Sequence, residues 1–199
     1  YSVHQVAHEP NHEHGLRVSK HIFVGNSRLV TAMTHADNHG DTTEQTEKRY
    51  YYHADHLQSA QFITNAKGEQ YEHIEYTPYG ELWIEETAPG IDKLPFRFTG
   101  KELDEETGLY YYGARYLDPK YSRWLSGDPA LGEYIPQAPI NDEAKKHNEN
   151  LPGMGGVFNT VNLHVYHYAG NNPIKYVDPD GKFTFQLGTG GTLAGGTAA

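Results

Sequence analysis

Short aromatic-rich runs alternate with turn signals at roughly ten-residue spacing, and that rhythm limits the chain to strands joined by tight turns. Tyr50-Tyr51-Tyr52-His53-Ala54-Asp55 runs into a turn, and Gln61-Phe62-Ile63-Thr64 is the next strand. Asn65-Ala66-Lys67-Gly68 turns the chain into a third strand, Tyr71 to Tyr76, which ends at Thr77-Pro78-Tyr79-Gly80-Glu81. Such runs are too short for amphipathic helices, and tyrosine and β-branched residues suit pleated surfaces. With 16 Tyr and 21 Gly in 199 residues, the expected fold class is all-β. Tyrosine covers a large area while keeping a polar tip, which suits a wall wetted on both faces.

The same reading extends along the chain. Residues 21–31 form two strands around Gly25-Asn26, and residues 34–48 are a polar loop. Phe96-Arg97-Phe98-Thr99-Gly100 reads as a strand and turn, Leu109 to Tyr116 as a long β-prone run, and Leu163 to Tyr168 as a strand. Asp118-Pro119, Asp128-Pro129 and Asp178-Pro179-Asp180-Gly181 are turns. One short helix is expected at residues 142–149, where Asp142 and Glu143 precede Lys145 and Lys146 as the helix dipole prefers.

Charge and residue content exclude several functions. A net charge of −10 with scattered basic residues disfavours nucleic acid as a partner. No run is long and apolar enough to cross a membrane as a helix. The absence of Cys removes disulfides and thiol nucleophiles, and no Gly-x-Ser-x-Gly elbow is present. The pairs His53 and His56, and His164 and His167, and the cluster His8, His12 and His14 raise a metal reading. The first pair lies in an aromatic-rich strand-and-turn run where packing is the ordinary role, and the second alternates on its expected strand, so no metal or other cofactor is expected.

The ordered series of motifs resembles RHS/YD-repeat proteins. Tyr52-His53-Ala54-Asp55-His56-Leu57, Asn65-Ala66-Lys67-Gly68 and Tyr76-Thr77-Pro78-Tyr79-Gly80 look like a YD repeat. Leu94-Pro95-Phe96-Arg97-Phe98-Thr99-Gly100, then Tyr110 to Pro119, then Ser126-Gly127-Asp128-Pro129 and Asn171-Asn172-Pro173 to Gly181, look like the RHS-associated core. The resemblance covers residues 49–181. It implies a β-strip spiral that winds into a shell, closed by a core that curls inward as a plug. It also implies a bacterial protein that is secreted or held at the cell surface, with a variable toxin following the core and cut free by aspartate-dependent autoproteolysis. The implied organisation is repeat strands at 1–93, the core at 94–182 with an inserted loop at about 130–160, and the start of the toxin segment at 183–199. The implied partners are the chain's own upstream shell and downstream toxin, with secretion-apparatus or toxin-complex proteins beyond them. The Tyr1 start and the Gly/Thr/Ala end are read as those of a piece of a longer chain.

By motif, the resemblance assigns Arg115, Asp128 and Asp178 to the catalytic site and places the cut beside Gly181 and Lys182. Asp118, Pro129, Pro179 and Gly181 take turn roles. The chemistry is coherent: hydrolysis by carboxylates needs one ionised Asp to activate water and one protonated Asp to donate. Arg115 would hold one Asp ionised through a bidentate fork, and a carboxylate close beside it would then be pushed towards protonation. Two departures stand out. Asp128 and Asp178 lie 178 − 128 = 50 positions apart, wider than the family pattern, and Lys182 stands where Leu or Met is common before the cut. The alternative is a non-enzymatic wall or adhesion module in which Asp-Pro pairs are only turns.

Overall fold

The computed structural model describes residues 2–5, 16–35, 42–89 and 93–186. The chain divides into two compact units, Tyr1–Lys101 and Glu102–Ala199.

The first unit is a seven-stranded antiparallel sheet in which each strand pairs with the next in sequence. Its strands are β1 (Ser2–Gln5), β2 (Leu16–Val24), β3 (Ser27–His35), β4 (Arg49–Ala54), β5 (Ala60–Thr64), β6 (Gln70–Tyr76) and β7 (Leu82–Thr87). The Gly25-Asn26 turn joins β2 to β3 as the sequence suggested. The polar stretch before β4 is not all loop, because Thr43–Glu47 forms one helical turn, α1. Thr34 and Lys20 fasten it through hydrogen bonds to Glu44 (2.9 Å) and Gln45 (2.7 Å).

The turns share one device. Asp55 Oδ1 accepts from the backbone N–H groups of Leu57 and Ser59, both at 2.8 Å. Asn65 Oδ1 does the same for Lys67 and Glu69, and Thr77 Oγ1 accepts from the Glu81 N–H. Each short side chain closes a turn where the ladder cannot.

Alternation along β4 buries Tyr50 and Tyr52, which join Met33, Ala60, Ile63, Tyr71, Ile74 and Leu94 in the core of the unit. Glu72 is fully buried in the same unit. Its carboxylate accepts from the Leu94 N–H at 2.8 Å and faces Arg97 at 3.4 Å, and Arg97 also reaches Glu85 at 2.8 Å. Burial pushes the Glu72 carboxyl above its usual range. Of the strand and turn expected at 96–100, the turn is present as a 3₁₀ turn over Phe98–Gly100, and the strand is reduced to a single bridge at Phe96. Phe98 is buried there and fills the space over Gly80.

Gly80 has φ +92, and a Cβ on it would stand 2.5 Å from the Phe98 ring. Gly80→Ala is expected to destabilise this unit by about 2–4 kcal/mol, combining overpacking with left-handed strain. Gly68→Ala is the control: φ is +80 but nothing lies within 4 Å, so only about 1 kcal/mol is expected. Thermal unfolding of the two variants side by side checks the difference.

The second unit opens with a four-stranded antiparallel meander: β8 (Glu102–Asp104), β9 (Leu109–Tyr111), β10 (Tyr116–Asp118) and β11 (Arg123–Trp124). The long run 109–116 is therefore broken, with Gly113 at φ +99 between two short strands. The predicted helix is present as α2 (Asp142–Glu149), capped by Asn141, whose side chain accepts from the Ala144 N–H. The strand expected at 163–168 is absent: Thr160–Leu163 is a 3₁₀ turn, and only His167 makes an isolated bridge, to Arg123. Buried Asn162 donates to the Gly153 and Gly156 carbonyls at 2.8 Å, which coils the segment instead of extending it. A final hairpin pairs β12 (Tyr176–Val177) with β13 (Phe185–Gln186), leaving residues 178–184 as its loop. Among the described residues, no helix is long and apolar enough to cross a membrane.

Candidate active site

The core of the second unit is an aromatic triad. Tyr112, Trp124 and Tyr168 are buried edge to face, with ring centroids 5.0–5.6 Å apart. The Tyr112 and Tyr168 hydroxyls meet at 3.0 Å. Arg115 leaves the tight Gly113-Ala114 corner and lays its guanidinium over Trp124 at 4.4 Å.

From there Arg115 faces two carboxylates. One terminal nitrogen lies 3.1 Å from Asp178 Oδ2 and the other 3.4 Å from Asp128 Oδ2. Nε donates to the Gly181 carbonyl at 2.5 Å. All three charged side chains are at most 2% exposed. The expected fork onto a single Asp is therefore not what forms: the guanidinium spans both carboxyl groups.

Asp178 follows β12 directly, and its Oδ1 accepts from the Gly181 and Lys182 N–H groups at 2.8 and 3.1 Å. Asp128 is not at a strand end; it sits in the loop beyond β11, where its Oδ1 accepts from the Ala130 N–H at 2.8 Å. The prolines after each leave the next N–H free to turn back onto the carboxylate. Asp118 Oδ1 accepts from the Tyr121 N–H at 3.1 Å. Burial raises the Asp178 carboxyl to about 7 against the opposing pull of Arg115, with Asp180 adding to the rise. Gly181 needs its φ of +76 and its missing side chain, since a Cβ would stand 3.0 Å from the backbone nitrogen of Arg115.

One residue of the site had no signal in the sequence. Tyr134 lies in the 130–160 segment that reads as an insertion, yet it is 1% exposed. A 3₁₀ turn over Leu131–Tyr134 brings its hydroxyl 2.9 Å from Asp128 Oδ2 and 3.2 Å from the Lys182 carbonyl. Burial and the Asp128 charge push its hydroxyl far up, so it stays protonated.

His164 and His167 do not flank a strand: the His167 ring bonds the His164 carbonyl at 2.8 Å, and burial lowers its pKa. Among the described residues, no three His, Cys, Asp or Glu side chains are grouped to hold a metal ion. His8, His12 and His14 lie outside the described residues.

Known proteins are similar to this chain in sequence and fold. Toxin subunit YenC1 of Yersinia entomophaga is 32% identical over 145 residues, 71% of this chain and 12% of the relative. The tRNA nuclease WapA of Bacillus subtilis (strain 168) is 27% identical over 190 residues, 89% of this chain and 7% of the relative. The crystal structure of TcdB2-TccC3-Cdc42 matches with a TM-score of 0.58 and 25% identity over 84% of this chain and 6% of that one. The chain thus spans a small part of each relative. The teneurin YD-shell family matches residues 14–174, a stretch that takes in the whole seven-stranded sheet after β1 and both Arg115 and Asp128. With its consecutive antiparallel strands and side-chain-closed turns, the chain belongs to the teneurin YD-shell family, among the RHS/YD-shell proteins.

Proposed function

We propose that this chain is the closing segment of a toxin-enclosing YD shell and that it cuts its own backbone at one of the two bonds of Lys182. The downstream segment would be released as the toxin, the whole protein would be secreted or displayed at the cell surface, and toxin-complex subunits would be its partners. The carrying observation is the bridge of Arg115 to Asp128 and Asp178, with its Nε on the Gly181 carbonyl.

The reaction needs only water. Asp128 takes a proton from the attacking water, whose oxygen bonds to the scissile carbonyl carbon. Asp178, protonated below about pH 7, gives its proton to the departing backbone nitrogen as the C–N bond breaks. Holding the bond in the same fold as the dyad supplies a high effective concentration, enough for a single turnover.

The test is the denatured mass of the full natural chain, beside Asp128→Asn and Asp178→Asn. The parent should give two masses with the break beside Lys182. Each variant should slow the cut by roughly 10³-fold or more and give one mass. A single full-length mass in the parent would overturn self-cleavage and leave the wall or adhesion reading.

A further inference from the structure

Two carbonyls flank the proposed cut, and they differ in surroundings. The Gly181 carbonyl is held by Arg115 Nε at 2.5 Å, in a buried residue walled by Tyr112, Ala114 and Arg115. Its own N–H is fixed on Asp178. That packing anchors Gly181. Lys182 is exposed, and its carbonyl meets the Tyr134 hydroxyl, which also touches Asp128. The next residue, Phe183, sets its ring edge-on to Tyr134 with centroids 6.0 Å apart.

We infer that Tyr134 chooses the Lys182–Phe183 bond, donating its hydroxyl hydrogen to the Lys182 oxygen as negative charge forms there. The inference rests on the self-cleavage reading. A hydroxyl carries one hydrogen, so in the resting state it is shared between Asp128 Oδ2 and the Lys182 oxygen. When water adds to the Lys182 carbon, the oxygen becomes an anion and draws the hydrogen bond away from Asp128. Oδ2 is then freed to accept the proton that the water loses. The Phe183 nitrogen leaves with the proton from Asp178, and the products are a Lys182 carboxyl and a Phe183 amine. Tyr134 ends unchanged, and no other reactant is required. Its ring against Phe183 holds the departing residue in place, which gives the 130–160 segment a task in bond choice.

The measurement is the time course and site of cleavage in the full natural chain made by cell-free synthesis, read by denatured mass, for the parent, Tyr134→Phe and 3,5-difluorotyrosine at position 134. The parent should break between Lys182 and Phe183. Tyr134→Phe should cut about 10²–10³-fold more slowly, the loss expected for one oxyanion donor, with thermal unfolding close to that of the parent. Difluorotyrosine keeps the ring and hydroxyl but donates more strongly, so at pH 6 it should cut roughly two- to tenfold faster. It stands in if Tyr134→Phe fails to fold. A parent break after Gly181, or unchanged rates in both variants, overturns the role of Tyr134 and leaves self-cleavage standing. A parent that never breaks overturns both.

Discussion

Replacing Arg115 with Gln is expected to destabilise the second unit by about 3–5 kcal/mol and to stop cleavage. The guanidinium is the cation between two carboxylates that are at most 2% exposed, and deleting one partner of a buried ion set strands the charges that remain. Arg115 also gives up its bond to the Gly181 carbonyl, its 3.4 Å contact with the Val165 carbonyl and its seat on Trp124. For a unit of this size the melting temperature should fall by about 12–40 °C, at about 4–8 °C per kcal/mol. The deficit should depend on pH. The Asp178 carboxyl titrates in the fold at about 7, above its ordinary 3.8, so the fold binds the proton more tightly than the unfolded chain does. Its stabilising share is full below about pH 4 and is lost as pH rises through 7. Without Arg115 the folded value climbs further, so the gap between variant and parent should be smaller near pH 4 than at pH 8. Melting curves at the two pH values check this; equal gaps would mean that Arg115 acts by packing alone.

Cleavage itself should carry the same signature. If the protonated Asp178 carboxyl feeds the departing nitrogen, the rate should fall tenfold for each pH unit above about 7, or about 100-fold by pH 9. Pulse-labelled chain shifted into buffers from pH 6 to 9, quenched in denaturant and resolved by mass, gives the profile. A flat profile across that range would remove Asp178 from the role of acid.

Local chemistry was readable in the sequence wherever it is set by neighbours. The alternation that buries Tyr50 and Tyr52, the turns closed by Asp55 and Asn65 and the capped helix at 142–149 each depend on residues a few positions apart. What was missed or misread depends on distant partners. Glu72 sits buried because Arg97 lies 25 positions away and faces it at 3.4 Å. The stretch before Tyr168 looks extended by propensity, but Asn162 reaches back to Gly153 and Gly156 and coils it. Motif order singled out Arg115, Asp128 and Asp178, yet nothing in their spacing set one guanidinium between both carboxylates. Tyr134, one of 16 tyrosines, carried no mark at all: its place beside Asp128 arises from a 3₁₀ turn in a stretch without periodicity.

The hairpin of β12 and β13 closes around the very loop that holds Lys182, with only Tyr176↔Gln186 and Val177↔Phe185 in register. While the loop is whole, its short tether keeps the two strands at a local concentration in the millimolar range or above, which suffices for so brief a ladder. Severing the loop removes the tether and turns a fold-back into an association between separate chains. Two residue pairs cannot sustain that association in water. On the self-cleavage reading, the bond that is cut is thus also the latch of the last two strands, and a terminus made at Phe183 should peel away without a further trigger.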